Sequence, residues 1–210
     1  MTYFSEEQWL AWIDQLSEDN YVIVDDFLPE VLFKDIDAFF VTKTAEDVFK
    51  KAQIGTNTAL TVAPDIRGDY IYWLDPAVDI SLTPVFEIIR ECIEKLNRYC
   101  YLSLKEFEFH LALYPEKTFY KRHIDQFKNR SNRMISVILY LNKDWQPGHG
   151  GELKIYKDNG EELVVNPLAN RLVMFNSAKV PHEVLVTHKT RRSLTGWLLY
   201  KPSTIGFLKI

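Results

Sequence analysis

Apolar positions along the chain fall into two regimes. Up to about residue 105 they recur at helical spacing, and beyond it they alternate. Trp9, Trp12, Ile13 and Leu16 share one face of a helix predicted over residues 5–19, and Ser5 with Gln8 three residues on forms a capping-box pattern at its start. Residues 21–24, Tyr-Val-Ile-Val, read as a short strand. Pro29 suits the first turn of a second helix, where its missing N–H would be unpaired anyway; Val31, Leu32, Ile36, Phe39 and Phe40 supply the buried face. A third helical piece is expected around residues 45–52. Residues 54–69 are polar, contain Gly55, Pro64 and Gly68, and read as a loop, with a strand at 71–74. Thr83 and Pro84 then open a long helix whose apolar face runs Val85, Ile88, Ile89, Cys92, Ile93, Leu96 and Tyr99.

From Phe107 onward the pattern is that of strands, at 107–114, 120–123, 134–142, 152–156, 162–165, 171–176, 182–186 and 192–200. Pro115, residues 129–132, residues 147–151, Asn159-Gly160 and residues 167–170 punctuate them. Eight short strands with such turns predict a mainly β fold: a double-stranded β-helix, or jelly roll, packed on one side by three to four N-terminal helices. With no repeat, low-complexity tract or linker, residues 1–210 are expected to form one domain, 1–105 giving helical support and a substrate loop and 106–201 the jelly-roll core.

Composition narrows the functions. Apolar residues make up 47% of the 210 and aromatics 14%, enough for a sizeable core. A net charge of -4 and a pI near 5.8 provide no basic field for nucleic acid. Apolar runs are shorter than a membrane span, and the first residues, Met-Thr-Tyr-Phe-Ser-Glu-Glu, lack signal-peptide character. Cys92 and Cys100 sit eight residues apart on one predicted helix, roughly 12 Å along its axis, too far to bridge. They are expected to be reduced, in a cytoplasmic protein; no nucleic-acid or membrane partner is expected, and the oligomeric state is left open with a monomer favoured.

The candidate chemistry lies between His110 and Trp197. In His123-Ile124-Asp125 the outer side chains point the same way, because strand side chains alternate. One strand end can therefore offer an imidazole and a carboxylate to one ion, and His182 from a distant strand would complete two histidines and a carboxylate, the ligand set of non-haem Fe(II) oxygenases. The His-x-Asp pattern alone is common, and a lone strand histidine is more often packed or solvated. Nine residues after His182 lies Arg191. As antiparallel neighbours, the two strands would bring Arg191 beside the metal strand, and a buried arginine there needs an anion. The distal carboxylate of 2-oxoglutarate suits a bidentate guanidinium; the alternative is a structural ion pair, or exposure like Arg192. Tyr114 and Tyr140 lie on strands, and their phenols need partners, either a co-substrate carboxylate or backbone. His110 is expected to line the pocket, with His149 and His188 solvated. Lys117, Lys121, Arg122, Lys128 and Arg130 form either a solvated rim or a field that draws 2-oxoglutarate and an acidic partner face; in the second case KM rises with ionic strength.

These residues resemble a known family. The runs Asp-Ile-Arg-Gly-Asp-Tyr-Ile-Tyr-Trp at 65–73, Leu-Tyr-Pro at 113–115 with Tyr-Lys-Arg-His-Ile-Asp at 120–125, and Leu-Tyr-Leu-Asn-Lys-Asp-Trp at 139–145 are similar to those of Fe(II)/2-oxoglutarate dioxygenases of the prolyl 4-hydroxylase superfamily. So are Gly-Gly-Glu-Leu-Lys-Ile-Tyr at 150–156, Pro-His-Glu-Val at 181–184 and Thr-Arg-Arg-Ser-Leu-Thr-Gly-Trp at 190–197. The resemblance covers about residues 65–200 and is nearest the oxygen-sensing prolyl hydroxylases of animals and their bacterial relatives. It implies Fe(II), 2-oxoglutarate and O2, with ascorbate a further candidate, and hydroxylation of a prolyl residue in a protein, releasing succinate and CO2. It implies His123, Asp125 and His182 as iron ligands. Arg191 and Tyr140 would hold the distal carboxylate, Tyr114 would lie near the metal-binding end, and Leu153 and Thr195 would line the same pocket. Trp73 and Trp197 would shape the proline entrance, with Arg67, Asp69 and Arg133 on the substrate side. An Asp69–Arg133 ion pair would tie the loop over residues 54–73 to the barrel, so that it folds over substrate. Residues 115–122 lack the glycines usual in the animal enzymes, residues 126–132 are one residue longer, and Arg192 replaces an aromatic, which leaves Arg191 and Arg192 as competing choices. A small-molecule or free amino-acid hydroxylase and a non-catalytic metal-binding jelly roll are the alternatives.

Overall fold

In the computed structural model, residues 2–52, 63, 65–126 and 132–201 are described. Helix α1, Glu6–Asp19, starts as the pattern predicts: the Gln8 backbone N–H donates to Ser5 Oγ at 3.2 Å, and the Ser5 N–H to Gln8 Oε1 at 2.9 Å. α2, Glu30–Ala45, begins directly after Pro29, and α3, Thr83–Cys100, carries Pro84 in its first turn. α1 and α3 are joined by buried polar contacts. Trp9 Nε1 donates to Glu91 at 2.8 Å, and Lys95 pairs with Glu6. Cys92 and Cys100 are both free thiols on α3.

The helical piece expected at 45–52 does not form. Asp47 has φ 54, which ends the helical path, and Phe49 packs on Phe40 and Tyr72 at ring distances of 5.2 and 6.3 Å. That contact delivers Lys50–Lys51 as a short strand, β2, beside Tyr70–Trp73, β3. The rest of the predicted loop, residues 53–62 and 64, lies outside the described residues, as does the prediction that it folds over substrate.

The remaining strands form two antiparallel sheets. β1 is Tyr21–Val24, β4 Leu104–Tyr114, β5 Tyr120–His123, β6 Arg133–Tyr140, β7 Leu153–Tyr156 and β8 Glu162–Val165; β9 is Leu172–Asn176, β10 His182–Val184 and β11 Arg191–Tyr200. The larger sheet has the order β1-β9-β6-β11-β4-β3-β2 and the smaller β5-β10-β7-β8. From β4 to β11 the chain thus passes back and forth between two facing sheets, the double-stranded β-helix. Period-two alternation divides the larger sheet's side chains. Phe109, Leu111, Val137, Leu139, Met174 and Leu198 join the helices in the main core. His110, Ala112, Tyr114, Ile138, Thr195 and Trp197 face the barrel interior instead.

One topological expectation is corrected. β10 and β11 are not neighbours: β10 lies in the smaller sheet between β5 and β7, and β11 in the larger between β6 and β4. Arg191 therefore reaches the interior from the sheet opposite His182. A second link closes the barrel. The Gly68 N–H donates to Phe119 O at 3.0 Å and the Lys121 N–H to Ile66 O at 2.9 Å, so this segment pairs with β5 before β3 pairs with β4. Only a glycine allows that approach, since a Cβ on residue 68 would stand 2.7 Å from Thr118 Cβ.

Candidate active site

His123 ends β5 and His182 opens β10, and the two are paired across the ladder with ring centroids 4.2 Å apart. Each Nδ1 hydrogen-bonds a backbone carbonyl two residues earlier, His123 to Lys121 at 2.7 Å and His182 to Val180 at 3.0 Å. That contact places the ring proton on Nδ1 and leaves Nε2 free as a lone-pair donor, the usual arrangement behind a metal-bound histidine. Asp125, just beyond β5, brings Oδ1 to 3.4 Å from His123 Nε2 and Oδ2 to 3.7 Å from His182 Nε2. The three ligand atoms lie within 4.8 Å of one another. A divalent ion fits this donor set, and two neutral nitrogens with one carboxylate leave its other side for further ligands.

Electrostatics hold Asp125 and His182 in the metal-binding protonation state. Burial opposes charge on Asp125, but the His182 and His123 rings and the Ser136 hydroxyl overcome it and hold the carboxyl well below the usual carboxylate range. Burial pushes His182 down to about 4, against the pull of Asp125, so its imidazole is neutral at physiological pH. Ser136 Oγ donates to Asp125 Oδ2 at 2.6 Å, and Ser177 lies 2.8 Å from Ser136 Oγ, the donor that remains for it. Tyr120 stacks on His123 at 3.6 Å, and Phe175 packs edge-on against His182 at 4.6 Å.

The triad opens into a cavity of about 900 Å³ whose wall includes Leu153, Thr195 and Arg191. Arg191 is 2% exposed. Its Nε donates to Gly151 O at 2.9 Å and its Nη1 to Ser193 Oγ at 3.3 Å, while Nη2 has no hydrogen-bond partner. The guanidinium lies between the rings of Tyr114 and Tyr140, 4.8 and 5.0 Å from their centroids. The Tyr140 hydroxyl is also buried and makes no hydrogen bond of acceptable geometry. Burial raises its pKa, and the adjacent guanidinium opposes that rise. Leaving a buried guanidinium N–H and a phenol unpaired costs several kcal/mol. A carboxylate would satisfy the guanidinium, so this end of the cavity fits an anionic ligand. Tyr140 does not itself line the wall; it reaches the cavity through Arg191. The two competing arginines point in different directions. Arg192 points outward to Asp37 at 3.2 Å and to Leu141 O at 3.0 Å, and packs over Phe40 on α2.

At the mouth, Trp73 is 47% exposed and lies 4.8 Å from His110 and 6.4 Å from Trp197. Arg133 lies over the Trp197 ring at 3.4 Å and pairs with Glu108. Asp69 instead forms a two-pronged pair with Arg67, at 2.7 and 2.5 Å, so the expected Asp69–Arg133 pair is replaced by these two. The register explains the exchange: residue 133 opposes Leu199 near the far end of β11, whereas Arg67 is held over Tyr120, 4.4 Å from its ring, two residues from Asp69. Ser136, Ser177, Gly151 and Tyr120 had no place in the sequence-based site. Ser136 was discoverable in principle, as a lone hydroxyl in the inward-facing row with Ile138 and Tyr140. Of the predicted basic rim, Lys117, Lys121 and Arg122 are exposed, and Lys128 and Arg130 lie outside the described residues.

Comparison with known proteins agrees with this geometry. The family model of the 2OG-Fe(II) oxygenase superfamily matches residues 109–199. Prolyl hydroxylase EGLN3 of Mus musculus is 30% identical over 193 residues, covering 87% of this chain and 79% of that protein. A crystal structure of a Pseudomonas putida prolyl-4-hydroxylase superposes with a TM-score of 0.85 at 36% identity, covering 92% of this chain and 100% of the other. A prolyl hydroxylase from Trichoplax adhaerens, in complex with a hypoxia inducible factor oxygen degradation domain peptide fragment, gives 0.84 at 25% identity over 92% and 90%. The chain belongs to the 2OG-Fe(II) oxygenase superfamily and, within it, to the prolyl 4-hydroxylase type. It is accordingly a dioxygenase enzyme that uses Fe(II), 2-oxoglutarate and O2.

Proposed function

We propose that the protein hydroxylates a prolyl residue presented by a protein substrate. The observation that carries this reading is the pairing, in one cavity, of the triad with a buried, half-satisfied Arg191 at one end and an aromatic mouth at the other. His123, Asp125 and His182 hold the iron in this reading. Arg191, backed by Tyr140, grips the distal carboxylate of 2-oxoglutarate; Tyr114 lies nearer the metal end, and Leu153 and Thr195 flank the chain between. When bound, iron, 2-oxoglutarate and O2 supply the oxidising chemistry, with succinate, CO2 and a hydroxylated carbon as products.

The residues of this chain contribute position and exclusion. The carbonyls of Lys121 and Val180 hold Nδ1 of the two ligand imidazoles and so aim each Nε2 at the shared centre. Ser136 fixes one oxygen of Asp125. Leu153 and Ile138, both buried, keep water from the space beside the triad. Trp73 and Trp197, tilted 40° to each other at 6.4 Å, give an aromatic wall against which a pyrrolidine ring can pack, and Arg67, Asp69 and Arg133 stiffen its edges. The peptide held by the Trichoplax relative supports a protein rather than a metabolite as substrate. Incubation of candidate protein substrates with iron, 2-oxoglutarate and ascorbate should add one oxygen to a proline and yield equimolar succinate. Modification of free proline alone would replace this reading with the small-molecule one.

A further inference from the structure

His110 has no part in metal or 2-oxoglutarate binding as described, yet it is the least economical residue in the cavity wall. It is 3% exposed, and its Nδ1 has no hydrogen-bond partner. Its ring packs against both Trp73, at 4.8 Å, and Trp197, at 5.6 Å. The ladder fixes it there, opposite Trp73 on β3 and Thr195 on β11. A side chain needed only to fill this space would be leucine or phenylalanine, which strand no polar atom in the interior. Trp197 Nε1, on the neighbouring ring, is likewise buried without a partner. Two neighbouring rings in the cavity wall, 5.6 Å apart between centroids, thus each carry a buried nitrogen with no hydrogen-bond partner among the described residues. Burial, then the charge of Arg67, pushes His110 down to about 3, so the imidazole is neutral and able to accept as well as donate.

We propose that His110 is a specificity-determining residue that, together with Trp197, hydrogen-bonds the peptide group following the target proline. This rests on the prolyl substrate reading. The choice of ligand follows from donor and acceptor chemistry. An indole N–H only donates, and a neutral imidazole can accept. The peptide group after a proline carries both a carbonyl and an N–H. The group before it has no N–H, because the proline nitrogen is tertiary. A free amino acid offers a carboxylate and an ammonium instead, which two neutral rings match poorly. The site thus prefers a proline with chain continuing beyond it.

The test measures binding, so it does not depend on turnover. Protein loaded with Mn(II) and an inert 2-oxoglutarate analogue is mixed with a pool of acetylated, amidated heptapeptides carrying a central proline and random flanks. Retained peptide is quantified against a pool with alanine at the centre. Wild type is expected to retain the prolyl pool selectively. His110→Phe should lower that retention roughly three- to tenfold, the worth of one neutral hydrogen bond, while His110→Asn, which keeps a polar partner, retains most of it. A third pool, with an ester in place of the amide after proline, should lower wild-type retention to the His110→Phe level and leave His110→Phe unchanged. Equal retention by wild type and His110→Phe, equal loss in the Phe and Asn variants, or equal ester sensitivity in wild type and His110→Phe overturns the proposal and leaves the prolyl reading standing. Wild type that retains free L-proline but no prolyl peptide, or neither, overturns the prolyl protein reading and this inference with it.

Discussion

Two adjacent arginines that look interchangeable in the sequence should behave in opposite ways. Arg191 lines the cavity, keeps a buried Nη2 without a partner among the described residues, and is held by Gly151 and Ser193, with Tyr114 and Tyr140 on either side. If Arg191 grips the distal carboxylate of 2-oxoglutarate as proposed, Arg191→Ala deletes that charge-assisted contact. A hydrogen bond to a charged group contributes about 1.5–3 kcal/mol, so 2-oxoglutarate affinity should fall roughly 10- to 150-fold. Arg191→Lys should recover only part, since an ammonium cannot keep the fork to Gly151 and the ligand together. Arg192→Ala removes contacts to Asp37, Leu141 O and Phe40 outside the cavity. It should leave 2-oxoglutarate affinity within twofold and lower folding stability by about 1 kcal/mol. Anaerobic calorimetry of 2-oxoglutarate with the Mn(II)-loaded protein measures the first quantity and urea unfolding the second. Normal co-substrate affinity in Arg191→Ala, or a large loss in Arg192→Ala, would refute the assignment.

Other residues should respond as their contacts dictate. Ser136→Ala takes the hydrogen bond from Asp125 Oδ2 and should weaken Mn(II) binding by about tenfold, with little change in overall fold, as read by metal titration. Gly151→Ala is strained twice over, by φ +77 and by a Cβ that would stand 2.8 Å from Arg191 Cδ. It should cost about 1–3 kcal/mol in urea unfolding and weaken 2-oxoglutarate binding several-fold, because the guanidinium must shift. The folded chain keeps His110 neutral down to about pH 3, whereas the unfolded chain protonates it near 6.5. Its contribution to stability is therefore complete above pH 6.5 and declines as pH falls toward 3, by up to about 1.4 kcal/mol per pH unit. Urea unfolding of the metal-free protein between pH 7 and 5 should show a shallower pH dependence in His110→Phe than in wild type, and identical slopes would contradict this.

Strand and helix positions were legible because burial follows period. The alternation in β4, β6, β9 and β11 is strict, since one face meets helices and the other the barrel interior. The triad was legible from His-x-Asp and the distant Pro-His-Glu, because a strand end presents both outer side chains to one side. Long-range pairing was not. The neighbour of β10 depends on which sheet the chain enters, which no local pattern records, so Arg191 was placed on an adjacent strand when it comes from the opposite sheet. The helix expected at 45–52 failed because aromatic contacts of Phe49 with α2 and β3 outweighed local helical preference. The exchange of Asp69–Arg133 for Arg67–Asp69 and Arg133–Glu108 belongs to the same class, as partners were named by residue type and only the fold sets reach.

The central claim is that His123 and Asp125, from one strand end, and His182, from the neighbouring strand, share one ferrous ion. Anaerobic titration of Fe(II) into wild type and into His123→Ala, Asp125→Ala and His182→Ala, each confirmed folded by circular dichroism, tests it most directly. One ion per chain in wild type, with affinity lost at least a hundredfold in every variant, is the expected result; undiminished binding in any one of the three would contradict the shared site.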